Sequence, residues 1–168
     1  AVKTNVLGSM NVVEACLEAG VPKAVLLSSD KAVHPVNVYG ATKLCAEKVW
    51  LASNALGATK FSAVRYGNVV GSRGSVAERW GATPDRVVLT DSRATRFWLG
   101  LENAVGLVLL ALREMQGGEV FLPKLSSSRG LDLVPPGAAI DEIGLRRGEK
   151  LHERLLSDEE LPRTWDCG

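Results

Sequence analysis

Residues 21–43 read VPKAVLLSSDKAVHPVNVYGATK. Lys23 to Ser29 holds an unbroken Ala-Val-Leu-Leu core. A short apolar run without alternation is the pattern of a strand covered on both faces, as in a parallel sheet. Asp30 to Asn37, punctuated by Pro35, reads as a loop. Val38 to Leu56 then reads as a helix. Ala41, Leu44, Cys45, Val49, Leu51 and Ala52 form its apolar stripe, and Gly57 closes it.

The same alternation extends to either side. Val2, Val6, Met10, Val13 and Leu17 recur at helical spacing, and Gly20 with Pro22 stops that helix. Phe61 to Tyr66 reads as a second strand, followed by the glycine-bearing loop GNVVGSRGS from Gly67 to Ser75. Helix, strand, helix, strand at this spacing gives an α/β fold: a partial Rossmann-like parallel sheet with right-handed crossovers. The second half is less regular. It holds a turn of helix over Ala77–Gly81, short strands at Arg86–Leu89, Glu119–Pro123 and Ala139–Ile143, and a clear helix over Leu101–Met115. Ser126–Ala139 reads as loop and Lys150–Leu156 as a helical turn or two. Residues 1–76 are therefore expected to form the sheet part with the site, and residues 77–168 a smaller mixed substrate-binding part.

The 168 residues suffice for a real core, and 46% of them are hydrophobic. A net charge of +1 gives no bulk attraction to nucleic acid or an anionic membrane. No apolar run reaches the ~18 residues that span a bilayer. The three cysteines (Cys16, Cys45, Cys167) are far apart and show no metal-ligand or disulfide spacing. Cys16 and Cys45 fall in apolar helical patterns and read as small core residues. A cytoplasmic protein is expected, without a metal.

In parallel sheets ligands bind beyond the carboxyl ends of strands. The loops Ser28–Asn37 and Gly67–Ser75 both follow strands, so they should lie side by side. Tyr39 and Lys43 stand four apart on the first turns of a helix and share a face. An ammonium beside a phenol favours the phenolate and so a usable base. Asp30 and Lys31, with Ser28 and Ser29, converge on the same tip. An adjacent carboxyl and ammonium can hold different protonation states when their environments differ. Taken alone, these residues fit either a solvated surface or a catalytic tip. His34, beside Pro35, reads as a loop residue.

Four segments, in order, sharpen this: SSDKAVHPVNVYGATK, RYGNVVGSRGSV, TRFW and IGLRRGEKLHE. Together they resemble the nucleoside-diphosphate-sugar 4,6-dehydratases of the extended short-chain dehydrogenase/reductase family. The nearest likeness is to the polysaccharide-biosynthesis branch acting on UDP-N-acetylglucosamine. The resemblance runs from about Val2 to Ser157. It implies NAD as cofactor, a UDP-sugar as substrate, no nucleic-acid partner and a homo-oligomer. Lys43 would hold the nicotinamide ribose, with Ser29 nearby, and Tyr39 would take the proton of the sugar 4-hydroxyl as hydride leaves C4. Asp30 and Lys31 would remove water across C5 and C6 before hydride returns to C6. Asn5 would support the site. Asn68, Arg73, Ser75, Arg96 and Arg146 would contact the nucleotide sugar, the last within an Arg-x-Gly-Glu-Lys motif where Arg147 replaces a usual proline. Phe97 and Trp98 read as packing residues.

A dinucleotide-binding unit also needs a strand followed by a glycine-rich turn and a helix. No such segment occurs among these residues. The resemblance therefore implies that the phosphate-binding loop is absent from the chain, as in a fragment or a shortened relative that borrows a partner. Three readings stay open: the dehydratase, a nucleotide-sugar epimerase of the same family, and a non-catalytic nucleotide-sugar-binding module.

Overall fold

A computed structural model describes residues 1–72, 76–83 and 85–167. The chain begins in a wide helical turn, Val2–Leu7, that runs into α1 (Gly8–Glu18). Strand β1 (Lys23–Ser29) leads through a tight turn at Asp30–Ala32 to α2 (Val38–Ala52). Then come β2 (Lys60–Tyr66), β3 (Asn68–Val69), α3 (Val76–Ala82) and β4 (Arg86–Leu89). β5 (Thr95–Leu99) precedes α4 (Leu101–Glu114), and β6 (Val120–Phe121), β7 (Ser127–Arg129) and β8 (Ala139–Glu142) complete the set.

β1, β2 and β6 form a parallel sheet in that order. The α/β architecture with a parallel sheet thus follows from the alternation of helical and strand patterns. β6 comes from the chain's second half, so sheet membership does not follow chain order. β3 pairs with β5, β5 with β7, and β4 with β8.

Helices cover both faces of the parallel sheet. On one face Val13 of α1 and Trp50 of α2 bury against Phe61 of β2. The Trp50 and Phe61 rings meet edge to face, 5.3 Å apart and 82° between planes. On the other face Leu107 and Ala111 of α4 bury against Val64. Phe61 and Val64 point to opposite faces because strand side chains alternate. β2, central in its sheet, is buried along Phe61–Arg65.

β1 is covered on both faces, Ala24 and Leu26 packing against the Val13–Trp50–Phe61 cluster and Val25 against the Val64–Leu107–Ala111 cluster, although Leu27 near its end is 48% exposed. Four expectations change. The α2 stripe is rotated: the helix buries Gly40, Thr42, Ala46, Glu47 and Trp50, while Ala41 and Cys45 face outward. Cys45 is therefore not a core residue, whereas Cys16 packs against the Val13 cluster. Lys150–Leu156 is not helical, because its backbone is committed to β5: Thr95 N donates to Leu151 O at 3.0 Å. β7 lies within the stretch read as loop.

The rotation of α2 has one cause. Arg65 is 1% exposed, and a guanidinium taken from water needs every donor satisfied. Its Nε and Nη2 donate to the two Glu47 carboxylate oxygens at 3.0 and 2.6 Å. Its Nη1 and Nη2 donate to Glu160 at 2.9 and 3.0 Å, and Nη1 donates also to Leu155 O at 2.7 Å. All five donors are used. Burial alone would lower the Arg65 pKa, but the hydrogen bonds it donates to Glu47 and Glu160, with their charges, outweigh burial and raise it.

Replacing Arg65 with Met leaves Glu47 buried and unpaired. Urea unfolding should register a loss of about 3–5 kcal/mol, partly recovered in Arg65→Met/Glu47→Gln. Burial raises the Glu160 pKa, but its hydrogen bonds with Arg65 and Ser157 and the Arg65 charge together outweigh it, and the net value falls from 4.5 to about 2. A depressed carboxylate stabilises the fold above its unfolded value and loses that contribution as pH falls through the folded one. Thermal melts should therefore drop between pH 4.5 and about 2 in the wild type. Glu160→Gln should flatten that drop.

Candidate active site

The carboxyl ends of β1 and β2 set the site. β1 ends at Ser29 in extended backbone, and the turn Asp30–Ala32 follows at once. The Ser29 hydroxyl accepts from Lys31 N at 3.2 Å and donates to Asp30 Oδ1 at 2.9 Å. Asp30 is fully buried. Lys31 Nζ donates to the same Oδ1 at 3.0 Å, and Asp30 Oδ2 makes no hydrogen bond among the described residues. One carboxyl oxygen is thus held twice, while the other is buried without a hydrogen-bond partner among the described residues.

α2 starts where Asn37 caps it. Asn37 Oδ1 accepts from Gly40 N at 2.8 Å. The same side chain donates through Nδ2 to Gly148 O at 2.7 Å. It thereby joins the start of α2 to the Arg147–Gly148 turn, in which Gly148 has φ +83°. Tyr39 sits on the first turn of α2, 45% exposed. Thr42 accepts from Asn5 Nδ2 at 3.0 Å and donates to Tyr39 O at 2.8 Å, so Asn5 braces the Tyr39 turn. Lys43 Nζ donates to Leu27 O of β1 at 3.0 Å. Burial lowers the Lys43 pKa, with Glu47 opposing.

A cavity of about 190 Å³ opens beside this turn. Lys31, Asn68, Arg96, Glu149, Lys150 and Glu153 contribute to its wall. Arg96 Nη1 is held by the carbonyls of Thr95 (2.8 Å) and Leu151 (3.1 Å) and by no carboxylate among the described residues, so its charge is available to an anion. Lys150 Nζ donates to Val33 O at 2.6 Å.

The structure thus brings Lys31, Asn68 and Arg96 to one cavity, next to Asp30. Tyr39 and Lys43 stand at the end of β1. Arg146 is exposed and outside the cavity wall. Arg73 and Ser75 lie outside the described residues. The Ser29 hydroxyl is used within its own turn. His34 is an exposed loop residue with φ +43°. Two residues escaped the sequence reading. Asn37 carries the signal of an N-cap residue before a helix. Glu153 ends the segment IGLRRGEKLHE, but only the fold shows that it meets Lys31.

Gly40 is required by close approach: a Cβ there would collide with Lys31 O and crowd Pro35. Gly40→Ala should push the Asp30–Ala32 turn away from α2. The expected cost is about 1–3 kcal/mol in thermal or urea unfolding.

Comparison with known proteins places the chain among its relatives. The family model described as "Polysaccharide biosynthesis protein" matches residues 1–167. A UDP-N-acetylglucosamine 4,6-dehydratase (inverting) of Campylobacter jejuni is 44% identical, over 98% of this chain and 52% of its own length. A UDP-glucose 4-epimerase of Rickettsia canadensis is 37% identical, over 100% of this chain and 53% of its own. The X-ray structure of Pen from Bacillus thuringiensis superposes with a TM-score of 0.88 at 35% identity, covering 95% of this chain and 54% of that one. The chain spans about half the length of the curated relatives it matches.

Proposed function

Because the chain belongs to the polysaccharide biosynthesis protein family, we propose that it performs the proton transfers of a 4,6-dehydration of a UDP-N-acetylhexosamine. The product is a 4-keto-6-deoxy sugar nucleotide for surface-glycan synthesis. The observation that carries this reading is Asp30: a buried carboxyl with one oxygen held by Ser29 and Lys31 and the other unpartnered among the described residues. Similarity to the Campylobacter jejuni dehydratase supports it.

The residues at the end of β1 fit the nicotinamide end of NAD. Lys43 lies beside the Leu27 carbonyl, and the Ser28 hydroxyl is buried without a partner among the described residues. Tyr39, Lys43 and Ser29 would hold that end. When bound, NAD supplies the hydride acceptor for C4 and the donor for C6. The chain's own residues move protons. Tyr39 takes the 4-hydroxyl proton, with Lys43 stabilising the phenolate. The C5 proton, acidified by the C4 ketone, passes to one member of the Asp30–Lys31 pair, and the other protonates the departing 6-hydroxyl. The sugar loses one water, and oxidation at C4 is matched by reduction at C6.

Asn68 and Arg96 would bind the nucleotide-sugar diphosphate, and Arg73, Ser75 and Arg146 are proposed as further contacts. Free cysteines at 16, 45 and 167 suit a reducing cytoplasm, and the working form is a homo-oligomer. No helix among the described residues is long and apolar enough to cross a membrane.

A second reading, C4 epimerisation, is favoured by the Rickettsia canadensis relative. That reaction leaves C5 and C6 untouched and gives Asp30–Lys31 no work there. One assay separates the readings. The purified chain is incubated with NAD and UDP-N-acetylglucosamine, and the products are followed by NMR and mass spectrometry. Dehydration gives a 4-keto product lighter by one water, and Asp30→Asn, Lys31→Ala and Tyr39→Phe each slow it about 100-fold or more. A C4 epimer as product selects the epimerase. Nucleotide-sugar binding without turnover selects a non-catalytic binding module. Unchanged turnover in the three variants overturns the site.

A further inference from the structure

We propose that Glu153 is a positioning residue, holding the Lys31 ammonium in place over the site; this deepens the dehydration reading and rests on it for the chemistry Lys31 performs. Four charges alternate in a row, three of them on the cavity wall and Asp30 buried behind Lys31. Asp30 Oδ1 lies 3.0 Å from Lys31 Nζ, Lys31 Nζ lies 3.7 Å from Glu153 Oε1, and Lys150 Nζ lies 3.1 Å from Glu153 Oε2. The remaining charged groups of the wall are Glu149 and Arg96.

The members of this row are not equally free. The Glu153 side chain is 6% exposed and that of Lys31 is 33% exposed. A buried carboxylate must be paired, and the ion-pair partners of Glu153 are both lysines of the cavity wall, its Oε2 making no hydrogen bond among the described residues. The backbone around Glu153 is tied on both sides. Leu151 O accepts from Thr95 N and Arg96 Nη1, and Leu155 O accepts from Arg65. Lys150 is tied in turn to Val33 O. Glu153 is therefore the fixed partner, and the half-exposed lysine with its rotatable stem is the one that gets placed. Asp30 supplies one attachment point, and Glu153 supplies the second that gives the ammonium a direction. A carboxylate whose only task were to hold the fold would face a partner in the core, as Glu47 faces Arg65.

The test uses the intact chain as wild type, Glu153→Gln and Glu153→Asp. Trace acetylation with acetic anhydride at neutral pH, read on the Lys31 peptide against exposed Lys48, reports how firmly the Lys31 ammonium is held. It needs no turnover. Labelling of Lys31 should rise about fivefold or more in Glu153→Gln and by less in Glu153→Asp, which keeps the charge at longer range. Equal labelling in wild type and Glu153→Gln overturns the proposal. Where a melting curve shows Glu153→Gln unfolded, Glu153→Asp takes its place, and labelling equal to wild type there overturns the proposal in the same way. In the dehydration assay Glu153→Gln should lower kcat about tenfold with KM for the nucleotide sugar within about twofold, and Glu153→Asp should recover part of kcat. A raised KM with intact kcat overturns the proposal. A wild type that gives no dehydration while Lys31 labelling still answers to Glu153 removes the reaction assignment and leaves the positioning in place.

Discussion

A buried guanidinium organises this molecule. Arg65 sits on the central strand with all five donors engaged by two carboxylates and a carbonyl. An ion taken out of water at this depth is tolerated only when geometry and hydrogen bonding are both complete. Those requirements reach far along the chain. Glu47 must face the sheet, which fixes the rotation of α2 about its axis. Leu155 and Glu160 must come to the same strand, which fixes the path of the C-terminal segment. Rotation of α2 decides where Tyr39 and Lys43 point, and the path of residues 150–156 decides where Lys150 and Glu153 stand. The clamp touches no part of the cavity, yet it sets both sides of it.

Asn37 does at short range what Arg65 does at long range. Its carbonyl oxygen satisfies the orphan donor at Gly40, and its amide holds the Gly148 carbonyl. One amide side chain thus serves two loops that are remote in sequence. Gly40 and Gly148 permit the approach, the first by lacking a Cβ against Lys31 O and the second by its positive φ. The result is a turn, a helix start and a late loop held together by backbone and amide contacts. Their charged side chains are then left to face the cavity.

How much of this can be read from sequence depends on the kind of interaction. β1, β2 and α4 follow from apolar runs and helical periodicity, because burial of apolar surface is what those patterns record. Tyr39 and Lys43 follow from helical spacing, and Asp30 and Lys31 from their place after a strand. The face of α2 does not follow. A hydrophobic pattern scores Glu47 as solvent-facing, and only Arg65 and Glu160, far along the chain, reverse that. β5 and β7 are short, and β7 lies among serines. Lys150–Leu156 has enough apolar and charged residues to suggest helix, but its backbone pairs with Thr95 instead. The role of Glu153 is hidden for the same reason: the segment that contains it is legible, but its pairing with Lys31 comes only from the fold.

The two lysines of the site show how environment divides one residue type into two roles. Lys43 is partly buried on α2, donates to the Leu27 carbonyl, and has its pKa lowered by desolvation. It forms no ion pair with a carboxylate among the described residues, so its charge is available to a neighbouring phenolate or a ligand hydroxyl. Lys31 lies between Asp30 and Glu153, so its charge is already matched. Under the dehydration reading proposed above, the first arrangement would suit stabilisation of a developing anion and the second the placement of a proton donor. The turn after β1 and the start of α2 thus set side by side one ammonium without a carboxylate partner among the described residues and one held between two carboxylates.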